Sequence, residues 1–149
     1  MKIRRATLAD LPRLVEGNRR MAELTEGLVL DVETLRKGVK RVLEDESCGQ
    51  YWVAEKDGRF AGQLMLTWEW SDWRNGRFYW IQSVWVEPDY RRQGVYRSLW
   101  EHVRAAIEAD PEACGARLYV EKENGVAQHT YAALGMHETE YRLYEWQPA

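Results

Sequence analysis

The stretch from Val86 to Trp100 constrains the fold of this chain more than any other part of it. It has the pattern of a strand end, a loop that contains Arg91, Arg92 and Gly94, and then an amphipathic helix. In such a strand–loop–helix unit, free backbone N–H groups and the positive end of the helix dipole point at one place, which favours a phosphate. Gly94 lets the backbone approach a ligand, and the two arginines can add charge-assisted hydrogen bonds. The sequence therefore predicts a site for a phosphorylated cofactor.

Apolar periodicity and turn residues divide the rest of the chain into strands and helices. Thr7 or Asp10 is placed to cap a first helix and Asp31 a second one, and Asp57–Gly58 is a strong hairpin signal. Strands are predicted at residues 2–6, 50–56, 59–70, 77–86, 117–121 and 138–146, with two later helices at 96–107 and 126–134. We expect a single α/β domain over residues 1–149, ordered β-α-α-β-β-β-α-β-α-β, with a central mixed sheet and helices on both faces.

Charge and composition argue against several classes of function. The formal net charge of −3 disfavours a nucleic-acid partner. No run of 18 apolar residues is present and no apolar stretch follows the first residues, so neither a membrane partner nor a signal peptide is expected. Cys48 and Cys114 are isolated, which is typical of reduced thiols in a cytoplasmic protein. The three histidines lack a ligand spacing, so no metal is expected.

Two short motifs resemble those of one enzyme superfamily. The hexapeptide Arg91–Tyr96 resembles the Q/R-x-x-G-x-G/A signature with which GNAT acyltransferases bind the pyrophosphate of acyl-coenzyme A. The segment Asn124–Met136 resembles the N…A…Y…L-G-F segment of the same superfamily. Two motifs about 30 residues apart, in the expected elements, are far more specific than either motif alone. Neither a nucleoside-triphosphate P-loop nor a G-x-G-x-x-G fingerprint is present.

The resemblance implies an acyl-CoA-dependent N-acyltransferase. Its cosubstrate would be acetyl-CoA, and the acetyl group would pass to a primary amine of a small molecule or peptide by direct attack in a ternary complex. Tyr131 would lie beside the thioester sulfur as the catalytic proton donor. The coenzyme would be bound by the backbone of Val84 and Val86, by Asn124, and by the pyrophosphate loop Arg91, Arg92, Gln93, Gly94, Val95 and Tyr96.

Four of these residues also have a purely structural interpretation. Tyr131 lies in line with apolar helix positions and could belong to the core. Asn124 followed by Gly125 is a common turn and helix cap. Arg91 and Arg92 could form a solvated surface pair.

The sequence departs from the superfamily pattern at two points. Tyr96 occupies a position where the signature has Gly or Ala, and Trp80 occupies a strand position where some members carry a glutamate base. Glu69 and Asp72 are the nearest alternative carboxylates in the sequence, unless a water chain or an unprotonated amine makes a base unnecessary. A non-catalytic acyl-CoA-binding or sensing module is therefore the alternative function. An interaction domain with a decayed cofactor site is a third hypothesis.

The acceptor is predicted from aromatic and acidic residues near one hairpin. Glu69, Trp70 and Asp72 belong to a segment with three indoles and two acids, which could hold a cationic amine by cation–π and ion-pair contacts. Glu26 lies in the break between the first two helices, where the GNAT fold shapes its acceptor groove. The same aromatic side chains could instead stack across strands or form a homodimer face.

Overall fold

The fold is built on one five-stranded sheet. The computed structural model describes all 149 residues. The strands follow one another across the sheet in chain order. Every neighbouring pair is antiparallel except the last, β4 and β5, which is parallel. The strands are β1 (Lys2–Arg5), β2 (Gln50–Lys56), β3 (Arg59–Ser71), β4 (Gly76–Val86) and β5 (Ala113–Arg117).

Four α-helices connect or flank these strands. They are α1 (Leu11–Glu26), α2 (Val32–Glu44), α3 (Val95–Ala109) and α4 (Gly125–Ala133). Asp31 caps α2 as predicted, because its carboxylate accepts a hydrogen bond from the Thr34 backbone N–H at 3.0 Å. None of the helices combines the length and apolar character that a membrane span requires.

The two faces of the sheet carry different helices. Alternate residues of a strand point to opposite faces, so Tyr51 and Val53 pack beneath α1 and α2 while Trp52 and Ala54 face α3. On the α3 side, Leu64 and Leu99 are fully buried. The predicted α/β class, with a mixed sheet and helices on both faces, is confirmed.

Two predicted strands are wrong in position or absent. The fifth strand spans Ala113–Arg117 rather than residues 117–121, because parallel pairing with the first half of β4 selects a small-residue segment of low intrinsic strand preference. Residues 138–146 form no strand, and the outer edge of β5 has no neighbour. Tyr141, Leu143, Tyr144 and Trp146 are all exposed, so this tail buries no apolar face that would hold it in register.

Candidate functional site

The parallel pair β4–β5 opens at one end. Its register runs from Arg77 opposite Ala113 to Trp80 opposite Arg117 and then stops. Residues 81–86 of β4 therefore have a partner strand on the β3 side only. An opening of this kind, at the carboxyl ends of parallel strands, is where ligands enter α/β sheets.

A bulge in β4 lies at this opening. Ser83 has a φ of 53°, in the left-handed region, and the pairing of β3 with β4 shifts register between Gln63 and Met65. The Gln63 side-chain amide donates a hydrogen bond to the Ser83 carbonyl at 3.2 Å. Because a bulge bends its strand and re-aims the residues that follow, the end of β4 turns away from β5.

The main chain of Val84 and Val86 faces the opening. The Glu87 N–H donates to the Ala61 carbonyl at 2.9 Å, on the β3 side, so the preceding Val86 carbonyl points to the opposite side. Val84, two residues earlier, presents its main chain to the same side. Both valine side chains pack against the core beneath α3. The two residues predicted to bind the pantetheine arm are thus placed along the opening.

A cradle of free backbone donors lies at the start of α3. The backbone N–H groups of residues 92–97 donate to no acceptor in the protein, and the first hydrogen bond of the helix runs from the Ser98 N–H to the Gly94 carbonyl at 2.9 Å. Gly94 has a φ of 78°, Arg92 has a φ of 63°, and no atom lies within 4 Å of a Cβ built on Gly94. Consecutive free N–H groups at a helix N-terminus fit the pyrophosphate of a coenzyme.

The side chains of the loop have different roles. Arg91 is turned back onto β4, where its Nε donates to the Val86 carbonyl at 3.1 Å and its guanidinium lies 4.9 Å from the ring centre of Trp85. Gln93 accepts from the Lys56 ammonium and donates to the Asp89 carbonyl. Val95 is buried in the core. Arg92 makes no hydrogen bond or ion pair and is exposed, so it is the arginine available to a phosphate.

Helix α4 brings the second motif to the same end of the sheet. Asn124 caps the helix, with its side-chain oxygen accepting from the Ala127 N–H at 3.2 Å. Tyr131 is half-buried, and its ring lies edge-on to that of Tyr96 with 5.6 Å between centroids. The Tyr96 hydroxyl oxygen is closed off from solvent and has no hydrogen-bond partner. Burial raises the pKa of both phenols, so both are protonated at neutral pH.

The hairpin residues predicted for the acceptor lie beside the paired part of β4 rather than along its open part. Glu69 pairs with Arg117 at 3.0 Å, and Asp72 accepts from the Trp73 N–H in the β3–β4 turn. Trp70 is 57% exposed and lies opposite Arg77. The seven residue-to-residue steps of β4 from Arg77 to Val84 span roughly 23 Å of strand. Glu26 lies at the exposed C-terminal end of α1.

Sequence reasoning missed a buried polar group behind the bulge. Gln63 is completely buried in β3, and its side-chain oxygen has no partner. The Tyr51 hydroxyl accepts from the Asn18 side-chain amide at 3.0 Å. Burial raises the pKa of Tyr51. A glutamine between apolar strand residues was the one local signal of this group.

These features form an opening lined by free backbone donors on a mixed sheet, and similarity to known proteins identifies the family. The sequence profile of the acetyltransferase (GNAT) family matches residues 19–136. The chain therefore belongs to this acetyltransferase family. No curated protein matches the sequence significantly.

Three solved structures show how far the similarity extends. The chain is similar to "a possible acetyltransferase from Clostridium difficile 630", with 44% identity, a TM-score of 0.93, and coverage of 99% of this chain and 97% of the other. It is similar to "a probable acetyltransferase" with 25% identity, a TM-score of 0.86, and coverage of 100% and 99%. A predicted acetyltransferase with acetyl-CoA from Clostridium acetobutylicum shares the fold at 18% identity, with a TM-score of 0.78 and coverage of 97% and 94%.

Proposed function

We propose that this protein is an acetyl-CoA-dependent N-acetyltransferase that acts on a primary amine of a small molecule or peptide. The observation that carries the proposal is the row of free backbone N–H groups over residues 92–97, placed beside the open end of β4. This arrangement supplies a pyrophosphate cradle and an adjoining channel for an extended pantetheine arm. Membership of an acetyltransferase family supports the same conclusion.

Each residue is assigned a role according to the chemical group that it exposes. The backbone of residues 92–97 and the guanidinium of Arg92 bind the pyrophosphate. Backbone groups of Val84 and Val86 bind the pantetheine arm and polarise the thioester carbonyl, in the manner of an oxyanion hole. Asn124 caps α4 and thereby positions Tyr131, whose hydroxyl donates a proton to the leaving sulfur. Arg91 positions the end of β4 through the Val86 carbonyl rather than binding phosphate.

The acceptor approaches from the face that carries α1. On this face Arg20 lies 5.0 Å from the ring centre of Trp85 and pairs with Glu87 at 3.4 Å. Glu26 and the hairpin residues Glu69, Trp70 and Asp72 remain proposals for an outer part of the acceptor site, since each is exposed. Both cysteines are free, which supports a cytoplasmic site of action.

A non-catalytic acyl-CoA-binding module is the second candidate function. It is favoured by Trp80, whose ring lies 5.8 Å from that of Tyr119 at the strand position where some family members carry a glutamate base. Glu87, the residue directly after β4, is already paired with Arg20. Such a module would bind acetyl-CoA and acetylate no amine.

Thiol release from acetyl-CoA across a panel of amines separates these two functions. The panel contains polyamines, amino acids, aminoglycosides, and peptides with a free N-terminus or lysine. We expect release with one class of amine and a slower turnover in Tyr131→Phe, with little change in acetyl-CoA affinity. Tight binding of acetyl-CoA without release on any amine would favour the binding module. Unchanged turnover in Tyr131→Phe would remove that residue from the mechanism.

A further inference from the structure

The side chain of Tyr96 buries a hydroxyl oxygen whose hydrogen-bonding capacity is not satisfied within the protein. Tyr96 is the second residue of α3, within the run of free N–H groups, and its ring packs against the core cluster beneath the helix. Its hydroxyl is closed off from solvent and has no hydrogen-bond partner. A phenylalanine would fill the same space without burying an unpaired oxygen, so packing alone does not account for a tyrosine here.

The position of this hydroxyl distinguishes it from the other unpaired polar groups. The remaining buried side-chain atoms without a partner all belong to strand residues: Trp52, Gln63, Trp68 and Trp85. The Tyr96 side chain instead lies where the start of α3 packs against α4, the helix that carries Tyr131. The two rings meet at 5.6 Å with an interplanar angle of 63°, and neither hydroxyl is hydrogen-bonded within the protein.

We propose that binding of acyl-coenzyme A opens the space beside the Tyr96 hydroxyl, which then donates a hydrogen bond to the coenzyme sulfur, next to the hydroxyl of Tyr131. This inference rests on the proposed function and adds a second phenol to the same site. The amine nitrogen forms a bond to the acyl carbon, and the carbon–sulfur bond breaks with its electron pair left on sulfur. Tyr131 transfers its proton to that sulfur and is reprotonated from solvent, to which the amine loses one proton. Tyr96 keeps its own proton and stabilises the developing negative charge.

The variant Tyr96→Phe tests this role because stability and turnover should change in opposite directions. Removing an unsatisfied buried oxygen should raise the melting temperature by about 2–4 °C. Removing a donor to a developing charge should lower kcat about tenfold on the amine that the wild-type protein acetylates fastest. Tyr90→Phe is the matched control, since Tyr90 is half-buried against the same core and makes no side-chain hydrogen bond. Its kcat should be unchanged.

Binding of coenzyme A and desulfo-coenzyme A tests the same contact without turnover. Calorimetry should show that the wild-type protein prefers coenzyme A, and that Tyr96→Phe reduces this preference about threefold. A raised melting temperature with unchanged kcat and an unchanged preference would overturn the proposal and leave Tyr96 as a core residue. If the wild-type protein acetylates no amine, the proposed function fails. The binding preference then still decides whether Tyr96 contacts the sulfur.

Discussion

At the scale of single residues, the candidate site depends on close packing between α1 and the bulged part of the sheet. Gly17 of α1 lies against Gln63 and Trp85, and a Cβ built on it would approach the Gln63 side-chain oxygen to 2.6 Å and Trp85 Cδ1 to 3.0 Å. Both neighbours are buried and have little room to move. Gln63 in turn holds the carbonyl of Ser83. The glycine therefore keeps α1 close to the residue that shapes β4.

We expect Gly17→Ala to destabilise the protein by about 1–3 kcal/mol, because an added methyl group overpacks this contact. Gly38→Ala is the matched control. Gly38 is also inside a helix, but no atom lies within 4 Å of its built Cβ, so alanine should stabilise the protein by about 0.5–1 kcal/mol. Urea unfolding of both variants measures the two effects. Equal stabilisation by the two substitutions would contradict the close contact at Gly17.

At the scale of elements, the loop before α3 is the feature on which the proposed coenzyme binding depends. Gly94 of this loop has a φ of 78°, in the left-handed region that favours glycine. No atom lies within 4 Å of a Cβ built on it. A substitution there changes backbone strain and the approach of a ligand, but not packing. The loop was predictable from sequence because strand end, glycine and helix start are contiguous between Val86 and Trp100.

We expect Gly94→Ala to lower stability by about 1–2 kcal/mol, the cost of a left-handed non-glycine residue, and to weaken acetyl-CoA binding as well. Gly58→Ala in the β2–β3 hairpin is the matched control, since Gly58 has a φ of 74° and also meets no atom. The control should show the same loss of stability with unchanged acetyl-CoA affinity. Calorimetric titration with acetyl-CoA separates the two, and an equal affinity in both variants would show that the ligand does not approach Gly94.

Other elements could not be predicted because their state depends on distant partners. Residues 113–117 become a strand only through pairing with β4, although Gly115 is a poor strand former. The tail at 138–146 has strand-forming residues but no paired edge in the structure. The contact of Gly17 with Gln63 joins residues far apart in the chain, and no local pattern reveals it. Local sequence patterns thus predicted the strand–loop–helix unit, while long-range packing decided the rest.

At the scale of the whole molecule, a partly buried ion pair ties the first strand to the start of the first helix. Asp10 lies just before α1 and is mostly buried, and its carboxylate pairs with the Arg4 guanidinium at 2.8 Å. Arg4 also pairs with Glu55 of β2. The hydrogen bond from Arg4 lowers the pKa of Asp10 below its ordinary value of 3.8, despite the opposing effect of burial.

This pair should make stability depend on acidic pH. A carboxyl group whose pKa is lower in the folded state contributes stability that is fully present above its unfolded pKa and is lost as the pH falls through the folded pKa. We expect Asp10→Asn to be less stable than the wild-type protein by about 1.5–3 kcal/mol at pH 7. The difference should shrink as the pH falls below 3.8. Urea unfolding across this range checks it, and a difference that does not vary with pH would refute the ion-pair account.

We propose that the backbone donors at the start of α3 bind the coenzyme. The most direct measurement is the change in amide chemical shifts of the labelled protein on titration with coenzyme A. We expect the largest changes at the N–H groups of residues 92–97, with further changes at Val84 and Val86. Saturable changes confined to the β3–β4 hairpin, or no change at millimolar coenzyme A, would contradict the account.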